Sequence, residues 1–330
     1  MRRRQFIAGL GGVMALPLAA YAQQPDRMRR IAVLEPGVEN DPGGKVQLSA
    51  FTQRLGELGW TDGRNLRIDF RWASGNADRI RMFAKELVGL QPDVILAHTT
   101  PVTAAFQRET RTIPIVFLSV ADPVGDGFVA GLPRPGGNIT GFINLEGAIA
   151  GKWLEFLTEI APGVQRATVM FNPDTAPRGG SYFLPSFEAA ARSLKVEPIT
   201  APVRSDTEIE TVITSLGREP RGGFVVMPDA FIYVHRAPII SLAARNNVPA
   251  VYFQSDFTRD GGLLSYGPDV VDMIRRSASY VDRILRGAKV ADLPVQRPVK
   301  FETTLNAKTA KTMGLTIPES FLLRVDKVIE

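Results

Sequence analysis

Hydrophobic and polar positions alternate with two different periods along the chain. Residues Asn65–Trp72 alternate apolar and polar side chains, as a half-buried strand does, whereas Lys45–Leu58 and Ala77–Leu90 repeat apolar residues at helical spacing. Residues Asp93–Ala97 and Ile113–Ser119 are short continuous apolar runs, which are typical of strands buried on both faces. Such strands, alternating with helices of about 10–15 residues, indicate β–α–β units and parallel sheets.

The alternation restarts after a segment rich in glycine and proline, Gly131–Gly141. Strand-like runs at Ala167–Phe171, Gly223–Met227 and Pro249–Phe253 again alternate with helical patterns, one of which spans Phe231–Asn246. Two series of β–α units with an interruption between them predict an α/β fold of two Rossmann-like lobes, each built on a parallel sheet.

The N-terminus has the pattern of an export signal. Three arginines at positions 2–4 precede an apolar stretch, Phe6–Ala20, and a small-x-small motif, Ala20-Tyr21-Ala22. The motif Arg3-Arg4-Gln5-Phe6-Ile7 also fits a twin-arginine signal. The alternative is a membrane anchor, but the stretch is short for a span of about 20 residues. We expect residues 1–22 to be a cleavable signal peptide and the protein to reach the periplasm.

Composition and charge narrow the chemistry. The 330 residues include no cysteine, so disulfides, thiolate nucleophiles and cysteine-ligated metals are excluded, and the two histidines form no metal-binding motif. The net charge of +5 falls to about +2 without the three N-terminal arginines, and no basic run suggests nucleic-acid binding. We expect no metal, no cofactor and no nucleic-acid partner.

Polar side chains follow the predicted strands at the point where each strand ends. In open parallel sheets ligands bind beyond these carboxyl ends, so we take the polar residues there as candidate ligand contacts. They are Glu35, His98, Thr99, Thr100, Asp122, Asn172 and Asp229. Thr99-Thr100-Pro101 before a helix suits an anion such as a carboxylate, and Asp122 suits an ammonium group. Helix capping and turn formation remain alternatives for these residues.

Patterns of known catalytic sites are missing from the sequence. There is no G-x-S-x-G nucleophile elbow, and Pro42-Gly43-Gly44-Lys45-Val46 lacks the first glycine and the Ser/Thr of a phosphate-binding loop. We therefore expect a binding protein rather than an enzyme.

Long segments of the chain resemble the substrate-binding proteins of ABC transporters, in the family that includes tryptophan- and tyrosine-binding members. The segments that carry the resemblance are Phe51–Ile80, Leu87–Pro101, Ile113–Gly141, Gly261–Pro298 and Lys300–Glu330. The resemblance implies a type I periplasmic-binding-protein fold, with lobes joined by crossover hinge strands and the ligand between them. It implies discontinuous lobes, with residues 29–143 plus 266–298 forming the N-terminal lobe and residues 144–265 plus 299–330 the C-terminal lobe.

The resemblance also assigns candidate ligand contacts by position. It places Thr99, Thr100 and Thr103 in a carboxylate-binding turn. It further points to Asp122 in the Asp-Pro-Val motif, Asn172, Asp229 and Tyr266. The chain departs from the family at Glu35, where a small or polar residue is common, and at His98, where a small residue is common. This departure changes the expected ligand preference.

The resemblance implies a monomeric receptor that captures a small polar ligand, such as an amino acid or a related carboxylate-bearing molecule, and delivers it to an ABC permease. The membrane is then contacted only through the permease subunits. A periplasmic sensor that presents its closed form to a signalling receptor is an alternative, and a periplasmic enzyme is a less favoured one.

Overall fold

The computed structural model describes residues 27–219 and 221–330, so the expected signal peptide, residues 1–22, lies outside the described residues. The first half of the described chain forms five strands and three helices in strict alternation until the last strand. They are β1 (Arg29–Glu35), α1 (Pro42–Glu57), β2 (Leu66–Trp72), α2 (Ala77–Gly89), β3 (Val94–His98), α3 (Thr100–Glu109), β4 (Ile115–Val120) and β5 (Ile139–Ile143).

The second half continues the alternation and adds short helices near its end. Its elements are α4 (Ile149–Ile160), β6 (Arg166–Phe171), α5 (Leu184–Leu194), β7 (Glu197–Pro202), α6 (Asp206–Arg218), β8 (Gly222–Val226), α7 (Ala230–Val234), α8 (Arg236–Arg245), β9 (Ala250–Tyr252), α9 (Ser255–Arg259), β10 (Leu264–Pro268), α10 (Val270–Leu285), β11 (Phe301–Asn306), α11 (Ala307–Thr312), α12 (Glu319–Leu322) and β12 (Lys327–Ile329). Short 3₁₀ turns occur at Pro177–Gly180 and Val290–Asp292.

The strands form two separate sheets, as the sequence predicts. The first has the order β2-β1-β3-β4-β5 and is parallel throughout, and the second has the order β12-β11-β10-β9-β8-β6-β7. In the second sheet β10 and β11 pair antiparallel, while the other pairs are parallel. The fold therefore has two α/β lobes with parallel-dominated sheets.

The chain passes between the lobes more than once. Helix α10 packs its buried Met273, Ile274 and Val281 into the same core as Ile31 and Leu96 of the first sheet. The strands on either side of α10, β10 and β11, both lie in the second sheet. The first lobe thus includes a helix that comes late in the sequence.

The return to the first lobe begins later than expected. The sequence predicts this return at about Tyr266, but Tyr266 lies inside β10 and pairs with Thr303 in the second sheet. The chain leaves that sheet after Pro268, and Asp269 caps the start of α10 by accepting a hydrogen bond from the amide of Asp272 at 3.0 Å.

Two local details differ from the periodicity. The Gly- and Pro-rich segment contains the start of β5, where Gly141 lies so close to β4 that a Cβ would be 2.1 Å from the carbonyl oxygen of Phe117. The helix expected at Phe231–Asn246 is divided at His235 into α7 and α8. Pro238 lies in the first turn of α8, where its missing N–H costs nothing, whereas in one long helix it would break a hydrogen bond.

No helix in the described part of the chain is long and apolar enough to cross a membrane.

Candidate functional site

A cavity lies between the lobes, at the carboxyl ends of the strands of both sheets. The first lobe contributes residues at or just after the ends of β1 to β5, and the second contributes residues at or just after the ends of β6, β8, β9 and β10. Its lining includes Glu35, Asp41, Gln47, Trp72, His98, Thr99, Thr100, Ser119, Asn144, Thr175, Asp229, Tyr233, Phe253, Gln254 and Pro268. The position agrees with the rule that ligands of parallel sheets bind beyond the carboxyl ends of the strands.

Three polar side chains at the ends of adjacent strands form a hydrogen-bonded chain in this cavity. His98 Nδ1 lies 2.6 Å from Glu35 Oε2, and His98 Nε2 lies 2.9 Å from Ser119 Oγ. The side chains of Glu35 and His98 are only 16% and 12% exposed. Ser119 has a positive φ of 55°, a conformation that is uncommon for a residue other than glycine. Backbone conformations of this kind concentrate at ligand-binding and catalytic sites.

The start of helix α3 provides hydrogen-bond donors directly after His98. Thr99 is the N-cap residue with φ 82°, and its side chain makes no capping bond. Its buried Oγ1 has no hydrogen-bond partner among the described residues. The first amides of an α-helix lack intrahelical acceptors, so this end of α3 carries positive potential. Together with the hydroxyl of Thr99 it forms a place where a carboxylate can be bound.

Asp229 is a buried carboxylate on the opposite wall. It caps α7 by accepting a hydrogen bond from the amide of Ile232 at 2.8 Å, and it also accepts from the amide of Asn172 at 2.5 Å and from Thr175 Oγ1 at 2.8 Å. Burial raises the pKa of Asp229 to about 6, although these hydrogen bonds act in the opposite direction. Its oxygens are thus largely used within the second lobe.

A polar cluster joins the two lobes at the edge of the cavity. Asp41, the N-cap of α1 in the first lobe, pairs with Arg236 of the second lobe, which also contacts Asp260 at 2.8 Å. The hydroxyl of Tyr233 lies 2.8 Å from Asp256 Oδ2 and 3.3 Å from Asp41 Oδ2. Burial, together with these carboxylates, raises the pKa of Tyr233 well above its usual range, so the hydroxyl remains a donor.

The lobes also meet at a second polar contact. Arg178 of the second lobe lies 3.2 Å from the carboxylate of Asp122 in the first lobe, and Tyr182 donates a hydrogen bond to the carbonyl of Ala121 at 3.2 Å. Burial and the neighbouring Asp122 raise the pKa of Asp126, in the same loop, to about 6. The lobes are therefore in contact through two separate polar clusters.

The structure brings five of the nine predicted site residues together in the cavity. They are Glu35, His98, Thr99, Thr100 and Asp229. The other four do not line it. Thr103 donates its hydroxyl to the carbonyl of Thr99 at 2.9 Å, and Asn172 accepts a hydrogen bond from the amide of Asp174.

Asp122 and Tyr266 lie in other environments than we expected. Asp122 accepts a hydrogen bond from the amide of Gly125 at 2.9 Å, pairs with Arg178 and is not among the residues that line the cavity. Tyr266 packs against Phe156 and Phe301, with ring centroids 5.1 and 5.8 Å away.

Several lining residues were not among the candidates. Asp41 comes before the Pro-Gly-Gly start of α1, and Trp72 is the last residue of β2, so both follow the strand-end rule that identified the others. Tyr233 lies within α7, where periodicity offers no distinction between a core aromatic and a cavity wall. Among the described residues no cluster of three or more histidine, aspartate or glutamate side chains could hold a metal ion.

Comparison with known proteins identifies the family. The family model described as "ABC transporter substrate binding protein" matches residues 31–329. This chain belongs to that family. Its members are substrate-binding receptors of ABC transporters and generally act outside the cytoplasm.

Individual relatives cover most of the chain. A tyrosine-binding protein from Clostridioides difficile (strain R20291) is 26% identical over 269 residues, which are 80% of this chain and 75% of the relative. The crystal structure of an ABC domain in complex with L-Trp, from Streptococcus pneumonia, is 25% identical, covers 91% of this chain and 99% of its own, and superimposes with a TM-score of 0.83. A conserved domain protein from Vibrio cholerae is 25% identical, covers 92% of this chain and 100% of its own, and reaches a TM-score of 0.84.

Proposed function

We propose that this receptor captures an amino acid, or a related small molecule with a carboxylate, in the cavity between its lobes and delivers it to an ABC permease. The observation that carries the proposal is the start of α3, where the buried Thr99 Oγ1 lacks a partner among the described residues. The first amides of an α-helix have no intrahelical acceptors, so the N–H groups of the first turn, other than at the position taken by Pro101, can also face an anion. Relatives that bind tyrosine and L-Trp support the same ligand class.

The inter-lobe contacts support a mechanism of capture by closure. The pairs Asp41–Arg236 and Asp122–Arg178 can form only when the lobes come together. A ligand held by both lobes favours that arrangement because it binds the closed form more tightly than the open one. Permease subunits that recognise the closed form then receive only loaded receptor. Export by residues 1–22, with a twin-arginine signal, would place a monomeric receptor in the periplasm.

The first test is a thermal-shift panel on protein that has been unfolded and refolded to remove any co-purified ligand. Aromatic and branched amino acids, the corresponding acids and small amines are the probes, and calorimetry gives Kd for each hit. A ligand present at about 100 times its Kd should stabilise the protein by about 2.7 kcal/mol. Stabilisation by carboxylate-bearing compounds, with the compound recovered unchanged, is the expected result. If no such compound binds, the proposed ligand class is wrong.

One observation favours a second candidate function. Glu35, His98 and Ser119 are connected in the order carboxylate, imidazole and hydroxyl, which is also the order of a serine hydrolase relay. The distances lie within hydrogen-bond reach, as a nucleophile and its base require. Saturable hydrolysis of an activated ester that is lost in Ser119→Ala would establish this function. The receptor function is favoured because the family as a whole consists of substrate-binding proteins.

A further inference from the structure

We infer that Glu35, His98 and Ser119 form a subsite for a protonated amine, and that the ligand therefore carries an ammonium group and no net negative charge. The inference rests on the proposed function and narrows its ligand class. It assigns to Glu35 the recognition that the sequence suggested for Asp122, whose carboxylate the structure pairs with Arg178 outside the cavity.

The hydrogen bonds among Glu35, His98 and Ser119 leave acceptor atoms for a ligand. An ionised carboxylate only accepts, so His98 Nδ1 must carry the proton that is shared with Glu35 Oε2. In a neutral imidazole Nε2 then accepts the hydroxyl proton of Ser119, and in an imidazolium Nε2 donates to Ser119 Oγ instead. In both cases the second oxygen of Glu35 and a lone pair of Ser119 Oγ are left to accept hydrogen bonds from a ligand. Both residues line the cavity.

The charges around the cavity also favour a ligand with a positively charged group. Apart from Tyr233, the ionisable side chains that line it in the described part of the chain are Glu35, Asp41, Asp229 and His98, with no lysine or arginine among them. Asp41 is paired with Arg236, and Asp229 is held by three hydrogen-bond donors of its own lobe. No lysine or arginine pairs with the carboxylate of Glu35 among the described residues, where its side-chain partner is the ring of His98. A largely buried carboxylate is costly unless it is paired, and an ammonium group of the ligand supplies a permanent positive charge beside it.

The remaining walls suit the body of an organic cation. Trp72 reaches the cavity from the first lobe, and Tyr233 and Phe253 reach it from the second. Aromatic faces attract cations as well as apolar groups. An anion without an amine would gain only the start of α3 and would meet the carboxylate of Glu35 nearby. Since His98 is directly followed by Thr99, the subsite and the start of α3 are close enough for one amino acid to contact both.

The experiment uses matched triplets of ligands on one body. Tryptophan, tryptamine and indole-3-propionate form the first triplet, and the corresponding tyrosine and leucine series form the other two. We expect that in each triplet that binds, the member without an amine binds about tenfold to a hundredfold more weakly than the amino acid, since a hydrogen bond to a charged group contributes about 1.5–3 kcal/mol. Glu35→Gln should remove most of this preference, and Ser119→Ala should reduce it.

The matched control is Glu86→Gln, which makes the same change at a carboxylate of the first lobe that pairs with Arg71 and does not line the cavity, and it should leave the preference for amines unchanged. Circular dichroism and the melting temperature establish that each variant is folded. Equal binding of the member without an amine, or an unchanged preference in Glu35→Gln, would overturn the inference while leaving the carboxylate-binding function intact. If no member of any triplet binds the wild-type protein, both the proposed function and this inference are wrong.

Discussion

At the scale of single residues, the site depends on polar groups that lack a hydrogen-bond partner within the described part of the protein. The hydroxyls of Thr99 and Thr103 lie one helical turn apart at the start of α3 but differ in this respect. Thr103 Oγ1 donates to the carbonyl of Thr99, whereas Thr99 Oγ1 is buried without a partner among the described residues. A hydroxyl left in this state lowers stability unless a ligand supplies the missing bond.

We therefore predict opposite effects for two threonine substitutions. Thr99→Val removes the unpartnered hydroxyl and should stabilise the ligand-free protein by about 1 kcal/mol while weakening ligand binding about tenfold. Thr103→Val removes a satisfied bond and should destabilise the protein by about 1 kcal/mol with little change in affinity. Chemical denaturation and calorimetry measure the two quantities. Unchanged affinity in Thr99→Val would show that this hydroxyl does not contact the ligand.

Asp229 gives a pH dependence that can be assigned to one residue. Its pKa of about 6 in the folded protein lies above its value of about 3.9 in an unfolded chain, so the folded state binds the proton more readily. The contribution of Asp229 to stability should therefore rise as the pH falls from 7 towards 4, by about 3 kcal/mol in total. The measurement is the free energy of unfolding of wild type and Asp229→Asn over this range. The difference between them should grow in favour of the wild type at low pH, and a constant difference would contradict the assignment.

Sequence reasoning located residues of the site where local rules apply, and missed those that depend on how the lobes meet. Glu35, His98 and Thr99 follow from the strand-end rule, because apolar runs mark where β1 and β3 end. Tyr266 was misplaced because β10 continues to Pro268, which reaches the cavity instead. The strand-end rule selected Asp122 without indicating its partner Arg178, and it could not identify Arg236, because both pairs are made across the two lobes.

At the scale of secondary-structure elements, the alternation of strands and helices was predictable, but helix ends and packing distances were not. Apolar periodicity indicated α1 and α2 within a few residues, whereas the break between α7 and α8 depends on Pro238 and was missed. The sequence also does not predict how closely α1 approaches the second lobe. A Cβ added at Gly43 would lie 2.9 Å from the hydroxyl of Tyr233 and 3.0 Å from Asp256 Oδ2.

Two glycines of α1 provide a matched test of this approach. Gly43→Ala inserts a methyl group between the lobes and should weaken ligand binding several-fold, because closure then has to displace Tyr233 or Asp256. Gly56→Ala is the control, since nothing lies within 4 Å of a Cβ there. It should stabilise the protein by up to about 1 kcal/mol through helix propensity alone and leave the affinity unchanged. Calorimetry and melting temperatures distinguish the two. Equal affinities would indicate that α1 does not limit closure.

At the scale of the whole molecule, the two lobes are held together by few polar contacts around the cavity. The pair between Asp41 and Arg236 is largely buried, with side chains 6% and 11% exposed. A buried ion pair contributes little net stability, but losing one partner is costly because the other charge stays buried. In a protein of two lobes this cost can be avoided by opening, which returns the remaining charge to water. The intact pair therefore favours the closed form, and loss of one partner favours the open form.

The last prediction follows from this balance. Arg236→Ala should leave Asp41 without its cation in the closed form and shift the ligand-free protein towards the open form. Small-angle X-ray scattering should then give a larger radius of gyration than for the wild type without ligand. Saturating ligand should restore the compact radius of gyration, and the affinity should be at least about tenfold lower than that of the wild type.

Arg245→Ala is the control in the same helix, because Arg245 is exposed and bonds only to the hydroxyl of Ser241 among the described residues. Asp41→Asn retains a good N-cap for α1 and removes the charge from the other side, so it should reproduce the expansion. If both variants remain as compact as the wild type, closure is governed by other contacts, and Asp122–Arg178 is the next pair to be tested.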